Sequence, residues 1–477
     1  MRTRRITWSR LAAGAALLWA FGFPLYAQKA PKLPDDLPAY GPLKPYVSPK
    51  VTASTLANGM TVWLVPRPGY PKVTFALAVH GGLASDPQDL AGLSELLASS
   101  VTQGTKTRTS KLIAEQIGSA GGDLTSRADE DDIVVSVQVP SWKIQDGLSL
   151  LADISQNAAF PEDQVALIKR NSAEELRGNE SRSIFLARRA LAKLVYGTNP
   201  YSVIAPTEEA IAKMNPELLA QAYRSRFRPG QALFVAVGDF DAAQMMPAIT
   251  RAFARWQEPP QNAAPPIAAP QAPTHHEIFV VERPGSVQTT MLLGGIGPTE
   301  RDPQYVPFEV SDTILGGMSS ARLGSNIREN KGYSYGAGSV LQTYAGTALL
   351  YSGASVRNAV TGAAFNEFLY ELNRMATTTA RPDELERAQR HIVGSQALQL
   401  QSQVELTNQF CDLWSKGLPT DALEQQGAEI LKVTLDDVTK ISREYFPAYK
   451  QTIVMVGDKK AIADQVAAFG LQIEPAP

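Results

Sequence analysis

A zinc site on one helix needs two imidazoles three or four residues apart. This 477-residue chain has four histidines, His80, His275, His276 and His391, and no two of them have that spacing. The single cysteine, Cys411, cannot form an internal disulfide, and its setting Gln409-Phe410-Cys411-Asp412 reads as small buried packing. Gly316-Gly317 lacks the Gly-Lys-Ser/Thr that would make it a phosphate loop, and Gly336-Ala337-Gly338 lacks the third glycine of a dinucleotide site. Two groups of acids remain. The run Asp129 to Asp132 is expected to be a solvated strand entry, and Glu174-Glu175 lies on a charged helical stretch where solvation or a local ion pair is the ordinary fate.

The elements that would position such residues are short β-type runs mixed with longer helical ones. Thr61 to Pro66, Val73 to Val79 and Ile133 to Val139 are rich in branched residues and predict strands. Leu90 to Ser100, Ser110 to Ile117, Trp142 to Ser155, Glu162 to Leu176 and Ile184 to Val195 carry apolar residues at three- and four-residue spacing and predict helices. Strands adjacent in sequence followed by a block of helices imply an α+β fold with a mainly antiparallel sheet.

The pattern occurs twice. Phe227-Arg228-Pro229 leads into Leu233 to Asp239, and Phe446-Pro447 leads into Ile453 to Asp458, with the two Val-Gly-Asp ends 219 residues apart. Arg67-Pro68-Gly69 recurs 216 residues later as Arg283-Pro284-Gly285, and Pro161 recurs 221 residues later as Pro382, each opening a helical stretch. Three ordered matches at nearly one offset indicate a duplicated unit. The halves are predicted at 51–257 and 276–472, joined by a proline-rich linker over 258–275. The sixteen residues from Glu258 to Pro273, as polyproline at about 3.1 Å each, reach roughly 50 Å, enough for one half to fold over and face the other.

Residues 1–27 hold four arginines, an apolar run from Leu11 to Phe23 and the small-residue end Leu25-Tyr26-Ala27, the pattern of a secretory signal peptide cleaved after Ala27. Arg4-Arg5 raises twin-arginine export, but Ile6-Thr7-Trp8 after it matches weakly, which favours the general secretory route. That apolar run is about 13 residues, short of the roughly 20 that span a membrane, and no later run is as long. A soluble exported chain is therefore expected, with an extended proline-rich arm over 28–50. Loss of residues 1–27, which carry four arginines and no acid, takes the formal charge from −2 to −6 and leaves nothing to recruit nucleic acid.

From Ala91 to Thr105 the chain reads Ala-Gly-Leu-Ser-Glu-Leu-Leu-Ala-Ser-Ser-Val-Thr-Gln-Gly-Thr. This frame resembles the helix of the pitrilysin, insulinase and mitochondrial processing peptidase family, the inverted zincins, which read Gly-Leu-x-His-x-x-Glu-His through to Gly-Thr. In register, Glu95 stands at the first histidine, Ala98 at the glutamate and Ser99 at the second histidine. In the family the two imidazoles share zinc and the glutamate polarises water; here a carboxylate, a methyl and a hydroxyl take those places. Phe160-Pro161-Glu162 and the following helix match the family's approach to its third ligand, which falls on Glu175, with Glu174 the neighbouring alternative. Glu95 and Glu175 together would hold a hard cation only weakly. Gly121 to Ser126 with Asp131 is similar to the strand beside the family's active site, and Asn199-Pro200-Tyr201 to its His-Pro-Tyr.

In the second half, Leu315-Gly316-Gly317-Met318-Ser319-Ser320-Ala321-Arg322-Leu323 leads to Ile327-Arg328-Glu329-Asn330-Lys331-Gly332-Tyr333-Ser334-Tyr335. It resembles the family's glycine-rich turn and Arg/Tyr segment, which comes from the half without zinc and holds substrate across the cavity. The resemblance implies substrate-holding roles for Arg328 and Tyr335. An arginine fork and a phenol are suited to bind a carbonyl or an oxyanion.

The likeness spans about residues 51–470 and implies two homologous domains forming half of a clamshell. It further implies a non-catalytic subunit of a periplasmic heteromeric zinc peptidase, which binds no cofactor itself and pairs with an active zinc-bearing paralogue to act on peptides. Two alternatives stay open: a structural or peptide-binding scaffold of the same fold, and a self-sufficient peptidase with an unorthodox site, for which the sequence offers no ligands.

Overall fold

A computed structural model describes residues 41–44, 46–257, 267–271 and 277–477. The expected signal peptide, most of the expected arm and most of the expected linker, with His275 and His276, lie outside the described residues. Contacts divide the chain after Leu43, and all that follows concerns the unit Lys44–Pro477.

Two six-stranded sheets organise this unit. The first contains β1 (Thr52–Thr55), β2 (Thr61–Pro66), β3 (Lys72–His80), β4 (Asp123–Ala128), β5 (Asp132–Pro140) and β6 (Ala232–Gly238), in the order β1-β2-β6-β3-β5-β4. The second contains β7 (Ile278–Glu282), β8 (Gln288–Ile296), β9 (Ala337–Thr343), β10 (Ala348–Arg357), β11 (Thr452–Gly457) and β12 (Ile473–Pro475), in the order β12-β7-β11-β8-β10-β9. Both sheets are mainly antiparallel and share a parallel pair at the same place, β2 with β6 and β7 with β11, and the second sheet adds another where β12 runs parallel to β7. The repeat extends to single hydrogen bonds. Arg67 N donates to Gly238 O at 2.6 Å, and Arg283 N donates to Gly457 O at 2.7 Å.

Strand β3 is buried along nearly its whole length because both faces are covered. Val73, Phe75, Leu77 and Val79 point into the core of the first half. Ala76 and Ala78 point the other way, where their small size lets a helix approach, and that helix, Gln403–Ser415, comes from the second half. Its Phe410 packs edge-on against Trp63 of β2, with ring centroids 6.0 Å apart. Reciprocally, helix Ser183–Tyr196 of the first half covers β8 and β11, setting Ala187, Leu191 and Val195 against Leu292, Val454 and Val456. The two helices occupy equivalent places in the repeat, so each half supplies one layer of the other. The halves are joined through these shared cores and not by the proline-rich tether alone.

The acidic run departs from its expected solvated position. Asp132 is 1% exposed, and its carboxyl is held well above the usual range chiefly by burial, with Asp129 adding to it. Tyr201 donates its hydroxyl to Asp131 Oδ1 at 2.6 Å, and the backbone N of Ala345, from the second half, donates to Oδ2 at 2.7 Å. Because the swapped helices draw the halves together here, the strand entry becomes part of their junction. Cys411 is buried in the same region, and loss of solvent pushes its thiol well above the ordinary range. No described helix is long and apolar enough to cross a membrane.

Candidate functional site

Helix Leu93–Val101 starts at Gly92, whose φ of 86° is a left-handed conformation that glycine adopts freely. Gly92 offers no side chain to cap the first turn, and Asp86 does so from outside the helix. Both Asp86 carboxylate oxygens accept from Ser94 N at 3.1 Å, and Oδ1 also accepts from Ser94 Oγ at 2.6 Å. Arg226 closes the group, donating Nη2 to Asp86 Oδ1 at 2.7 Å and Nη1 to Ser94 Oγ at 2.8 Å. Aspartate and arginine side chains are both buried, so this ion pair fixes the entry of the helix away from solvent.

The three key positions of this helix then diverge. Glu95 is partly buried, and its carboxyl is pushed up to about 7, first by burial and then by the nearby charges of Glu175 and Asp86. Ala98 is 1% exposed and belongs to the hydrophobic core, while its carbonyl accepts from Ser126 Oγ of edge strand β4 at 2.6 Å. Ser99 is exposed. The helix packs against Glu162–Glu180, which carries Glu175 on an exposed turn beside the equally exposed Glu174. Glu95 and Glu175 are therefore brought together, as like charges.

This donor set does not fit zinc. Zinc takes imidazole or thiolate with carboxylate in tetrahedral geometry, and the groups here are two mutually repelling carboxylates, one hydroxyl and a methyl already absorbed into the core. Among the described residues no group of three or more His, Cys, Asp and Glu side chains is disposed to hold a metal ion.

The second half presents its segment differently. The glycine-rich turn closes a π-helix, Thr313–Gly317, where a Cβ on Gly316 would lie 2.4 Å from Ser339 N, so the turn can press against β9 only as glycine. Gly317 beside it is exposed. A second π-helix, Gly324–Asn330, carries Arg328. Its approach is anchored by Arg322, which makes two hydrogen bonds to Glu384, 2.9 and 2.8 Å, in a buried pair. Within it, Ile327 is buried, and Asn326 Nδ2 lies 2.9 Å from both Glu367 Oε2 and Glu371 Oε1. Arg328 itself is exposed, with Glu329 its one ion-pair partner among the described residues, at 3.3 Å. Tyr335 is 97% exposed, while the adjacent Ser334 Oγ holds the backbone by donating to Ser355 O at 2.9 Å. No hydrogen bond or ion pair among the described residues joins Arg328 or Tyr335 to Glu95 or Glu175.

Sequence reasoning did not find the Asp86–Arg226 pair, whose members lie 140 residues apart. The repeat offered no signal either. The position equivalent to Arg226 is Tyr445, which donates its hydroxyl to Gln304 Oε1 at 2.7 Å, a neutral contact in place of the ionic one.

Comparison with known proteins agrees with this architecture. Residues 61–205 match the family described as Insulinase (Peptidase family M16), and residues 213–392 match the Peptidase M16 inactive domain. An “Uncharacterized zinc protease” of Streptomyces coelicolor is 23% identical over 404 residues, 83% of this chain and 87% of that one. A “Probable inactive metalloprotease” of Bacillus subtilis is 23% identical over 326 residues, 63% of this chain and 74% of that one. The crystal structure of a peptidase M16 inactive domain from Pseudomonas fluorescens superposes with a TM-score of 0.80 at 23% identity, covering 86% of this chain and 98% of that chain.

Proposed function

The chain belongs to the insulinase-type M16 peptidase family, and we propose that within it the protein is the non-catalytic, substrate-holding subunit of a periplasmic heteromeric zinc metallopeptidase that degrades or processes peptides. The observation that carries this reading is an asymmetry. The helix that should hold zinc has lost both imidazoles and sunk its general-base position into the core, whereas Arg328 and Tyr335 stand in solvent on a segment anchored from both sides. Exposed side chains on an anchored segment are what a substrate held against a second chain would require.

In this reading the partner is a zinc-bearing paralogue with an intact His-x-x-Glu-His helix, and zinc sits there and not in this chain. The two clamshell halves would enclose unfolded peptide, with an extended segment adding to an exposed sheet edge such as β4 and giving broad sequence tolerance. Arg328 would donate to a peptide carbonyl, and the phenol of Tyr335 would donate to the oxygen that becomes negative during hydrolysis. Export to the periplasm follows from the signal-like residues 1–27.

The test is peptide turnover by the purified chain mixed with its zinc-bearing paralogue. Tyr335→Phe is expected to lower kcat by about 10²-fold, the usual loss when one oxyanion donor is removed, and Arg328→Ala to weaken turnover through substrate binding. Unchanged turnover with both variants would end the substrate-holding role and leave the scaffold reading in its place.

A further inference from the structure

Between the halves lies a cavity of about 1040 Å³, lined from the first half, from Ile267 and from Arg301, Ala345 and Gly346 of the second. Glu95, Ala98 and Ser99 do not line it, and its volume is that of a small-ligand site. Part of the wall is apolar, formed by Pro87, Leu90, Leu93, Leu218, Ala222 and Ile267. Most of its ionic groups are already engaged. Asp131 has both oxygens occupied by Tyr201 and Ala345, Arg226 faces Asp86, and Glu130 accepts a hydrogen bond from Tyr344.

Arg301 differs from these. Its Nε donates to the backbone carbonyl of Lys416, and no acid among the described residues lies within ion-pair distance of its guanidinium, which faces the cavity. His80 lines the same space and stacks on Trp414 with ring centroids 4.0 Å apart. Trp414 and Lys416 belong to one turn, so the imidazole and the guanidinium flank the same end. Burial lowers the pKa of His80, and its imidazole can donate a hydrogen bond beside the Arg301 charge.

We propose that this cavity binds an amphipathic monocarboxylate, with the carboxylate on Arg301 beside His80 and the apolar body against Leu90, Leu93, Leu218 and Ile267. A guanidinium fork matches a carboxylate in shape and charge, and the apolar wall selects a hydrophobic tail over a small polar acid. Two sources share that chemistry, a long-chain acid and the C-terminus of an apolar peptide. Neither requires a partner chain.

Calorimetric titration of the full chain with two matched probe pairs tests this: dodecanoate against dodecanol, and acetyl-Leu-Leu-Leu as free acid against its C-terminal amide. At least one acid is expected to bind roughly tenfold or more tightly than its neutral counterpart, the scale of a hydrogen bond to a charged group. Arg301→Gln, at an exposed position, is expected to erase that preference, and Gln221→Trp, which narrows the cavity from its exposed rim, to weaken acid and neutral probe alike. Preference confined to dodecanoate assigns a lipid-type source, and preference confined to the tripeptide acid assigns a peptide terminus. Equal binding of acid and neutral forms, no binding of either acid, or a preference that survives Arg301→Gln in a folded variant would overturn the assignment.

Discussion

At the position in helix Leu93–Val101 that resembles the family's general base, the first half carries a methyl group 1% exposed, while in the second half the phenol of Tyr335 is 97% exposed. Both halves share the same order over five strands, differing only in the outer strand β1 or β12, and the same Arg-to-Gly backbone bond, and each lends the other a helix. The scaffold has therefore been retained where the chemistry has not. Changing three side chains on one helical face removes the zinc site without disturbing a core strand. The exposed segment of the second half persists because its anchors, Arg322–Glu384 and Asn326–Glu371, are independent of the first half's helix.

The largest expected effect comes from restoring the lost ligands. Glu95→His with Ser99→His puts two imidazoles at i and i+4 beside Glu175, a donor set that suits zinc. The double variant is expected to retain one zinc per chain after dialysis and to melt at higher temperature with zinc present, whereas the natural chain gains neither. Hydrolysis should still be absent, because Ala98 supplies no base. Metal analysis and a melting curve check this, and a double variant indifferent to zinc would mean that Glu175 is not placed as a third ligand.

A smaller difference lies in how each half fixes its first helix. Asp86→Ala leaves Arg226 buried without its partner and Ser94 N without its cap, a loss of about 3–5 kcal/mol for breaking one member of a buried pair. Gln304→Ala, at the corresponding place in the second half, removes a neutral contact with Tyr445 and an exposed hydrogen bond to Glu444 and is expected to cost only about 1–2 kcal/mol. Chemical denaturation of the two variants gives the comparison directly, and equal losses would show that the ionic and neutral versions are equivalent.

The strands were legible because each is rich in branched residues. Thr61 to Pro66 coincides with β2, and Val73 to Val79 and Ile133 to Val139 fall within β3 and β5. The degenerate helix was legible through its glycine frame. Which sheet a helix covers was not, since Ala187, Leu191 and Val195 show the same three-to-four spacing whichever apolar surface they meet. For the same reason the acidic run Asp129 to Asp132 looked solvated: its burial depends on a swapped helix more than 270 residues away in sequence. The π-helices around Gly316 and Arg328 carry no periodicity that differs from an α-helix over so few residues.

Each half also holds two acids pushed up to about 7, all four mainly by burial: Glu95 and Glu130 in the first, Glu309 and Asp312 in the second. A folded-state value above the unfolded one means that the native chain binds protons more tightly, so stability falls as pH rises from about 4.5 through 7. The melting temperature is expected to be higher at pH 5.5 than at pH 8. Glu95→Gln should flatten the first half's share, and Glu309→Gln, which keeps a partner in Gln426, the second half's. If the melting temperature rises with pH, the buried acids do not control the balance.

The smallest expected change in stability is at the segment on which the proposed function rests. Arg328 has one exposed neighbour, Glu329, and Tyr335 has no hydrogen-bond partner among the described residues, so Arg328→Ala and Tyr335→Phe remove almost nothing that holds the fold together. Surface substitutions of this kind stay within about 0.5 kcal/mol, and the denaturation midpoints should match the unmodified chain. That near-zero result gives the turnover measurement its meaning. A variant that folds as well as the original and still fails to support a zinc-bearing partner has lost an intermolecular contact, whereas a parallel loss of stability and turnover would point to a structural role for the segment and dissolve the contrast between the halves.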